Sequence, residues 1–355
     1  EASSRQAAED AGFPLLVKAS AGGGGKGMRL VREAGEVVDA IARASGEAQT
    51  AFGDGTVYLE KFIEEPRHIE IQVLADDHGN TVALGERECS VQRRHQKVIE
   101  ETPSPIVTPE LRSAMEDAAV QAARSCDYRS AGTVEFLVGA DRQFHFLEMN
   151  TRIQVEHPIT ELRYDVDLLG EQLRIAQGLP ISFGSTPPEP SGHAIEARIC
   201  AEDADHGFMP STGTLGAVHL PGGPGVRCDG HIHFGQVIGL DYDNLLMKLI
   251  VHAKTREHAI ERLKRALWET RLPGVTTNIP LVLRTLDDER FTSGNYDTSI
   301  LDDSEPRGED AADFVPIVAA ALAMHRRVKK THVPPPSATT QASPWVVAGR
   351  DWWRR

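Results

Sequence analysis

The chain has 355 residues, 40% of them hydrophobic and 25% charged, and its formal net charge is −14. This length predicts two domains with accessory segments. The acidic balance argues against a nucleic-acid or anionic-membrane partner, and no apolar run reaches the roughly 20 residues of a membrane-spanning helix. Four scattered cysteines without a C-x-x-C pair, and the lack of a secretory leader, predict reduced thiols in the cytoplasm.

The first distinctive feature along the chain is a glycine-rich loop between two predicted strands. A strand is expected at 14–19 and another at 28–31, with four consecutive glycines at 22–25 between them. Such a run is either a flexible hairpin tip or a loop whose bare N–H groups close over phosphates, with Lys18 and Lys26 supplying positive charge. The loop matches neither a P-loop nor a dinucleotide fingerprint.

Hydrophobic periodicity predicts the other elements of the first half. Helices are expected at 3–11, 33–48, 109–125 and 168–176, and strands at 57–63 and 68–75 and from 82 into 89–98. Glu60 and Lys61 lie where strand backbone could read an adenine edge, although an ordinary amphipathic edge gives the same pattern. A basic cluster at 93–97 is either a solvated charge run or a contact for phosphates.

A hairpin is predicted from strands at 132–138 and 143–149, joined by a turn at 139–142. In that register Glu135 lies opposite Phe146 and diagonal to Glu148, within about 7–8 Å. Two carboxylates at that separation can share metal ions. A slip of one residue would separate them.

The most informative stretch is 148–158, where polar residues occupy every second position. These residues are Glu148, Asn150, Arg152, Gln154 and Glu156. Because alternate side chains of an extended backbone share one face, the pattern favours a functional site over an ordinary edge strand. A straight strand would put its two ends about 26 Å apart. That distance is too long for one reaction centre, so a chain whose two ends serve the same site would have to bend after Asn150 or Arg152.

A second domain is predicted after a boundary rich in proline, serine and glycine at 184–192. Strands are expected at 193–200, 213–220 and 237–252, and helices at 256–270 and 280–286. Beyond 302 the chain becomes acidic and then proline-rich, with a short helix expected at 314–328.

Four segments together resemble biotin carboxylase, the ATP-grasp component of biotin-dependent carboxylases of the acetyl- and propionyl-CoA type. They are 17–28, 66–72, Gln92-Arg-Arg-His-Gln-Lys97 and Glu148-Met-Asn-Thr-Arg-Ile-Gln-Val-Glu-His-Pro158. The resemblance implies an α+β protein, with an ATP-grasp fold followed by the family's C-terminal domain. The implied domains are 1–184 (with a glycine-rich-loop subdomain at about 1–64), 190–301, and a linker or following domain at 302–355.

The resemblance also implies a role for each residue that matches a family motif. The residues implied to bind nucleotide phosphates or ribose are Lys18, Gly24, Gly25, His68, Gln92 and His95, with Glu60, Lys61 and Ile63 around the adenine. The implied ligands of Mg²⁺ or Mn²⁺ are Glu135, Glu148 and Asn150. The implied bicarbonate pocket contains Lys97, Arg152, Gln154, Val155 and Glu156, and Arg227 is matched with the arginine that stabilises the biotin enolate.

These residue types suit the chemistry that the resemblance implies. Glu156 would act as the base for bicarbonate, whose attack on ATP gives carboxyphosphate and ADP, and CO₂ would then pass to N1′ of biotin. Arg152 would hold the anions with its planar fork of donors.

The implied partners are a biotin carboxyl carrier domain or protein and a carboxyltransferase subunit, with a homodimer in the full-length protein. No biotin-attachment motif occurs in the chain, so biotin is expected on a separate carrier or on a carrier beyond Arg355. The family has a further domain before the segment that starts at Pro14, so the chain alone is expected to bind MgATP but to turn over poorly.

Two alternatives remain beside this interpretation. One is another ATP-grasp ligase, such as a carbamoyl-phosphate synthetase domain, against which the 152–156 pattern and Arg227 weigh. The other is a truncated module that binds nucleotide without catalysis. Acyl-CoA, pyruvate and urea carboxylases share this site, because a different domain selects the acceptor.

Overall fold

The computed structural model describes residues 2–21, 28–302, 318 and 320–325. The chain divides into two units, Glu1–Glu305 and Pro306–Arg355. In the second unit the described residues are helical. Gly24, Gly25 and most of the helix expected at 314–328 lie outside the described residues. Among the residues that the structure describes, no helix combines the length and apolar character needed to cross a membrane.

The strands run in chain order as follows. They are β1 (Leu15–Ala19), β2 (Met28–Val31), β3 (Val57–Lys61), β4 (Arg67–Ala75), β5 (Thr81–Arg93), β6 (Gln96–Thr102), β7 (Ser130–Val138), β8 (Phe144–Asn150), β9 (His193–Cys200), β10 (Glu202–Asp203), β11 (Met209–Pro210), β12 (Gly213–Thr214), β13 (Val226–Gly230), β14 (Val237–Ile238) and β15 (Leu245–Ala253).

The helices also follow in chain order. They are α1 (Ala2–Ala11), α2 (Val37–Phe52), α3 (Pro109–Ser125), α4 (His157–Tyr164), α5 (Leu168–Ala176), α6 (Arg256–Glu269), α7 (Ile279–Asp287) and α8 (Glu289–Ser293), with 3₁₀ turns at Ala34–Glu36 and Ala204–His206.

The strands form one small and one large antiparallel sheet. The small sheet has the order β2-β1-β3, and its buried face packs against α1 and α2 through Leu15, Val17, Val37 and Ala44. The large sheet has eight strands in the order β13-β15-β9-β6-β5-β4-β7-β8. Two further pairs, β10 with β11 and β12 with β14, are only two residues long.

Strand β4 shows how the large sheet creates a site. Its apolar residues, such as Ile69 and Ile71, pack with α3 in one core cluster. The alternate residues His68, Glu70 and Gln72 are also buried, although they are polar. Because buried polar side chains are uncommon unless they are paired or functional, this second face of the sheet is where a site is expected.

The same sheet continues into the predicted second domain. Strand β9 pairs with β6, from Ile99 opposite Ala197 to Thr102 opposite Ala194. Residues after 190 therefore extend the sheet of the first half. This pairing places polar residues of β9 beside those of β6, which are about 100 residues away in sequence.

Several predicted elements are confirmed, and others are corrected. The helices at 109–125 and 168–176 and the strand at 193–200 have the predicted bounds. The expected run from 82 into 89–98 is instead the hairpin β5–β6, which turns at Arg94 and His95 with φ of 48° and 66°. The strands expected at 213–220 and 237–252 are reduced to β12, β14 and β15.

Candidate active site

The hairpin β7–β8 places Glu135 directly opposite Glu148. The predicted register, with Glu135 opposite Phe146, is wrong for two local reasons. The turn spans 139–143, one residue more than expected, and Leu147 is an extra residue in a bulge of β8. Side chains that face each other directly have Cβ atoms about 4.5–5.5 Å apart, so the two carboxylates are closer than the sequence predicted.

The side-chain oxygen of Asn150, together with these two carboxylates, gives a set of oxygen atoms that could coordinate a metal ion. It lies two residues beyond Glu148 on β8, and its Nδ2 donates to Glu148 Oε1 at 3.2 Å. Like charges that face each other across a ladder repel unless a cation lies between them. Carboxylate and amide oxygens are hard ligands of the kind that Mg²⁺ prefers, so the residues present fit a divalent cation of that class.

The predicted bend after Asn150 is confirmed. Strand β8 ends at Asn150, residues 151–156 follow without regular structure, and α4 begins at His157. Glu156 is the residue before the helix and is almost fully buried. The bend turns Gln154 back onto the sheet, where its Nε2 donates to Glu135 Oε1 at 2.8 Å.

Lys97 of β6 joins three carboxylates. Its Nζ lies 2.6 Å from Glu70, 2.6 Å from Glu156 and 3.1 Å from Glu135. Burial alone would lower the pKa of Lys97, but the surrounding negative groups, Glu70 foremost, raise it. Lys97 is therefore a fixed cation that aligns the three acids.

Glu156 is held between two cations. Its Oε1 accepts from Lys97 at 2.6 Å, and its Oε2 accepts from a terminal nitrogen of Arg198 at 3.0 Å. The Nε of Arg198 also donates to Glu100 at 2.6 Å. These two contacts fix the orientation of the Glu156 carboxylate. A group that exchanges a proton with a bound substrate needs such a fixed orientation.

Buried Arg87 organises the residues beneath the site. It is fully buried, and its five N–H donors are all used, as the geometry of a guanidinium allows. The acceptors are Glu70, Gln72, Thr133, Gln154 and Thr160, at 2.6–3.1 Å. Because Arg87 binds Gln154 Oε1, the amide of Gln154 is left with its NH₂ group toward Glu135.

The electrostatics of Glu135 favour its charged form. Burial would raise the pKa of Glu135, but contacts with His68 and Lys97 lower it to about 2. His68 Nε2 lies 3.1 Å from Glu135 Oε2, at an angle outside hydrogen-bond geometry. Ligand atoms of His68, Glu70 and Glu135 lie within 4.8 Å of one another, but Lys97 already bridges the two acids.

A cavity of about 260 Å³ opens beside these groups. All five residues of the implied bicarbonate pocket line it, namely Lys97, Arg152, Gln154, Val155 and Glu156, together with His95, Gln96, Arg198, Cys200 and 243–245. Two cations held by carboxylates, Lys97 and Arg198, and the exposed Arg152 therefore face a volume suited to a small anion.

Arg227 does not line this cavity, and its implied role in stabilising the biotin enolate stays a prediction. Its guanidinium donates to Asp229 at 2.7–3.1 Å and to Glu161 at 2.7 Å. Arg198 does line the cavity, together with Arg152, and its place there was not predicted from the sequence. The signal available was Glu196 and Arg198 at alternate positions of an otherwise apolar strand.

The other residues implied to bind nucleotide fall into two groups. In the small sheet, Lys18 forms an ion pair with Glu60 at 2.6 Å, Lys61 donates to Phe13 O, and Ile63 follows β3.

In the large sheet, Gln92 Nε2 lies 3.5 Å from His68 Nδ1, which puts both beside Glu135. His95 lies at the β5–β6 turn and lines the cavity. The structure thus brings His68, Gln92 and His95 to the same side of the large sheet as the acids.

Two family models match the chain. The model described as "Carbamoyl-phosphate synthase L chain, ATP binding domain" matches residues 1–183, and that of the "Biotin carboxylase C-terminal domain" matches 196–303. The fold is therefore an ATP-grasp domain followed by a biotin carboxylase C-terminal domain.

Relatives define the family more narrowly. The chain is 53% identical to "Biotin carboxylase 2, chloroplastic" of Populus trichocarpa over 83% of its length, and 50% identical to "Biotin carboxylase" of Haemophilus influenzae over 85%. It is 48% identical to "Biotin carboxylase 1" of Bacillus subtilis over 85%. The chain belongs to the biotin carboxylase family. It spans 56%, 67% and 67% of these three proteins, respectively.

Solved structures agree with this placement. A biotin carboxylase from Campylobacter jejuni in complex with β-γ-ATP has a TM-score of 0.79 at 41% identity. The biotin carboxylase domain dimer of 2-oxoglutarate carboxylase from Hydrogenobacter thermophilus, in complex with MgADP, ADP and bicarbonate, has a TM-score of 0.77 at 45% identity. Each match covers 84% of this chain and 66% of the solved chain.

Proposed function

We propose that the protein uses ATP and bicarbonate to carboxylate biotin on a carrier protein, the first half-reaction of an acyl-CoA carboxylase. The observation that carries this proposal is Glu156, whose two carboxylate oxygens are held by Lys97 and Arg198 at the wall of a 260 Å³ cavity. A buried carboxylate between two fixed cations, facing a small basic cavity, suits the activation of a small acidic anion.

In this proposal Glu156 removes the proton of bound bicarbonate, and Arg152 and Arg198 hold the anion's oxygens. The resulting oxygen nucleophile attacks the γ-phosphorus of ATP, and the bond to ADP breaks, which gives carboxyphosphate. Breakdown of carboxyphosphate yields phosphate and CO₂, which N1′ of biotin takes up as it loses its proton. Lys97 keeps Glu156 and Glu135 aligned during these steps.

A divalent cation would be held by Glu135, Glu148 and Asn150. Mg²⁺ bound there would neutralise charge on the phosphates of ATP. Gln154 and Lys97 position Glu135, and the amide of Asn150 positions Glu148. Lys18, His68, Gln92 and His95 would contribute to nucleotide binding, as the family motifs imply.

The proposed partners are a biotin carboxyl carrier domain or protein and a carboxyltransferase, with a homodimer in the full-length protein and a cytoplasmic location. Family membership supports the carrier, because biotin carboxylases act on biotin that a carrier presents. The acceptor of the second half-reaction belongs to the carboxyltransferase.

The test is an assay of ATP cleavage by the full-length protein with bicarbonate and free biotin. The proposal predicts that phosphate release depends on bicarbonate and that labelled carbon from bicarbonate appears on biotin. ATP cleavage that responds to carbamate but not to biotin would support a carbamoyl-phosphate synthetase-like ligase instead. No response to either acceptor would contradict both activities.

A further inference from the structure

Two acidic residues that face each other in the large sheet are fully buried. Glu100 of β6 and Glu196 of β9 are direct cross-strand partners, and both have no exposed surface. Glu100 Oε1 accepts from Arg198 Nε at 2.6 Å. Among the described residues, Glu100 Oε2 and both oxygens of Glu196 have no hydrogen-bond partner.

Charge around the pair is unbalanced. The ion-paired network that reaches Glu100 contains Arg87, Lys97 and Arg198 as cations and Glu70, Glu135, Glu156 and Glu100 as acids. Three permanent cations thus serve four carboxylates before Glu196 is added, and the imidazole of His68 lies 3.1 Å from one of these carboxylates, Glu135. Lys248 is the other cation that faces Glu196, and its Nζ donates to Val155 O and lies 3.9 Å from Asp229.

A second negative charge at this position would be costly. Like charges that face each other across a ladder repel, and a buried carboxylate without donors is strongly disfavoured. Burial and the nearby charge of Glu100 raise the pKa of Glu196 well above its ordinary value. Burial raises the pKa of Glu100 to about 7, although Arg198 opposes this effect. The pair therefore retains one proton at neutral pH, and this proton lies mainly on Glu196 because Arg198 stabilises the negative charge of Glu100.

We propose that Glu100 and Glu196 share one proton in the folded protein, and that Glu100 takes up a second proton from solvent when an anion binds beside Arg198. Arg198 donates to Glu100 from one side and to Glu156 from the other, so a bound anion competes with Glu100 for the same guanidinium. Protonation of Glu100 removes that competition. No other bond is made or broken, and one proton enters for each anion bound.

The role in anion binding rests on the proposed function, whereas the shared proton does not. Glu100 and Glu196 are positioning residues under this proposal, because they act through Arg198. The charged or titratable groups that face them are Arg198, Lys97, Lys248 and Glu156. The two parts of the proposal need separate measurements.

The shared proton is tested by thermal melting of this chain, without ligand, from about pH 6 to about pH 9. Because the folded state retains a proton that the unfolded state has lost, wild-type stability should fall with rising pH in this range. The glutamine side chain in Glu196→Gln would be neutral at every pH, so the melting temperature of this variant minus that of the wild type should increase as pH rises. Glu189→Gln, in an exposed loop, removes one acid without that effect and is the matched control.

Parallel melting curves of the wild type and Glu196→Gln would overturn the shared proton. If Glu196→Gln does not fold, infrared spectra of the wild type labelled with carbon-13 glutamate provide the second measurement. They should show the carbonyl stretch of a protonated carboxylic acid at neutral pH. The absence of that band would also overturn the shared proton.

Proton uptake is tested in the full-length protein by the KM for bicarbonate between about pH 7 and about pH 9. The wild type should lose affinity by up to about tenfold per pH unit, the limit for one proton, and Glu100→Gln should lose most of this dependence. An unchanged pH dependence in Glu100→Gln would overturn the anion-linked uptake. A wild type without bicarbonate-dependent activity would overturn the proposed function and, with it, the role in bicarbonate binding. The melting comparison would still decide the shared proton.

Discussion

Glu148 illustrates how a single residue can be exposed and still belong to a buried site. It lies opposite Glu135, but its only described hydrogen bond comes from the amide of Asn150. Glu135 is held by Lys97 and Gln154 from the sheet side. A bound divalent cation would therefore be coordinated by the exposed carboxylate of Glu148 and by the carboxylate of Glu135, which Lys97 and Gln154 hold in place.

We expect MgADP to raise the melting temperature of this chain and Glu148→Gln to remove most of that gain. Ligand binding stabilises the folded state by about 2.7 kcal/mol when free ligand is a hundred times the Kd. The variant keeps the shape of the side chain but loses the charge that the cation needs. Differential scanning fluorimetry with and without MgADP measures the effect, with Glu189→Gln as control. An equal ligand-induced shift in Glu148→Gln would mean that the metal is bound elsewhere.

Arg198 and Arg227 provide a matched pair of arginines, since only Arg198 lines the cavity. In the full-length protein, Arg198→Lys should lower kcat/KM for bicarbonate by about 10²–10³-fold, because lysine cannot reproduce the fork that binds Glu156 and an anion together. Arg227→Lys should stay within a few-fold of the wild type. The reverse ranking in steady-state kinetics would contradict the assignment of Arg198, rather than Arg227, to the bicarbonate site.

At the level of elements, one buried acid links β6 and β9 to the C-terminal helices, in addition to the apolar core that these elements share. Glu101 of β6 accepts from His193 at 2.7 Å, from Arg256 at 2.7 and 2.9 Å, and from Tyr296 at 2.5 Å. These partners belong to β9, to α6 and to the segment after α8. Glu101 therefore connects the sheet to the last described part of the first unit.

The pH dependence of this link has a definite sign. Burial would raise the pKa of Glu101, but hydrogen bonds from His193 and Arg256 lower it to about 2, below its ordinary value of 4.5. The stabilisation is therefore complete above about pH 4.5 and is lost as pH falls toward about 2. A shift of that size corresponds to about 3 kcal/mol. Acid unfolding followed by circular dichroism should show a flatter acid limb in Glu101→Gln than in Glu189→Gln. Equal acid limbs would contradict this account.

Local signals predicted some elements well. Helix α3 has its predicted bounds because two local signals mark its start. The side chain of Thr108 accepts a hydrogen bond from the N–H of Leu111. Pro109 occupies the first helical position, where its missing N–H would have had no partner within the helix. The turn at Arg94 and His95 escaped prediction because neither residue signals positive φ. The bulge at Leu147 escaped because register depends on the partner strand.

At the level of the whole molecule, the site combines residues that are local and distant in sequence. The run 148–156 could be found from its alternation, and the bend followed from its length once both ends were assigned to one site. Glu100 and Arg198 could not be placed, because strand pairing brings them together across 98 residues. Arg87 could not be placed either, because its partners lie 15 to 73 residues away in sequence. Arg227 was assigned through the resemblance alone, and only the three-dimensional arrangement separates it from the cavity.

The most direct measurement of the central claim is the kinetics of Glu156→Gln in the full-length protein. Glutamine keeps the size and the hydrogen bonds to Lys97 and Arg198 but loses the basic oxygen. We predict nearly unchanged ATP affinity and a fall in bicarbonate-dependent turnover of about 10²–10⁴-fold, the usual contribution of a positioned base. Near-normal turnover, or a defect that lies mainly in ATP binding, would contradict the role of Glu156 as the base for bicarbonate.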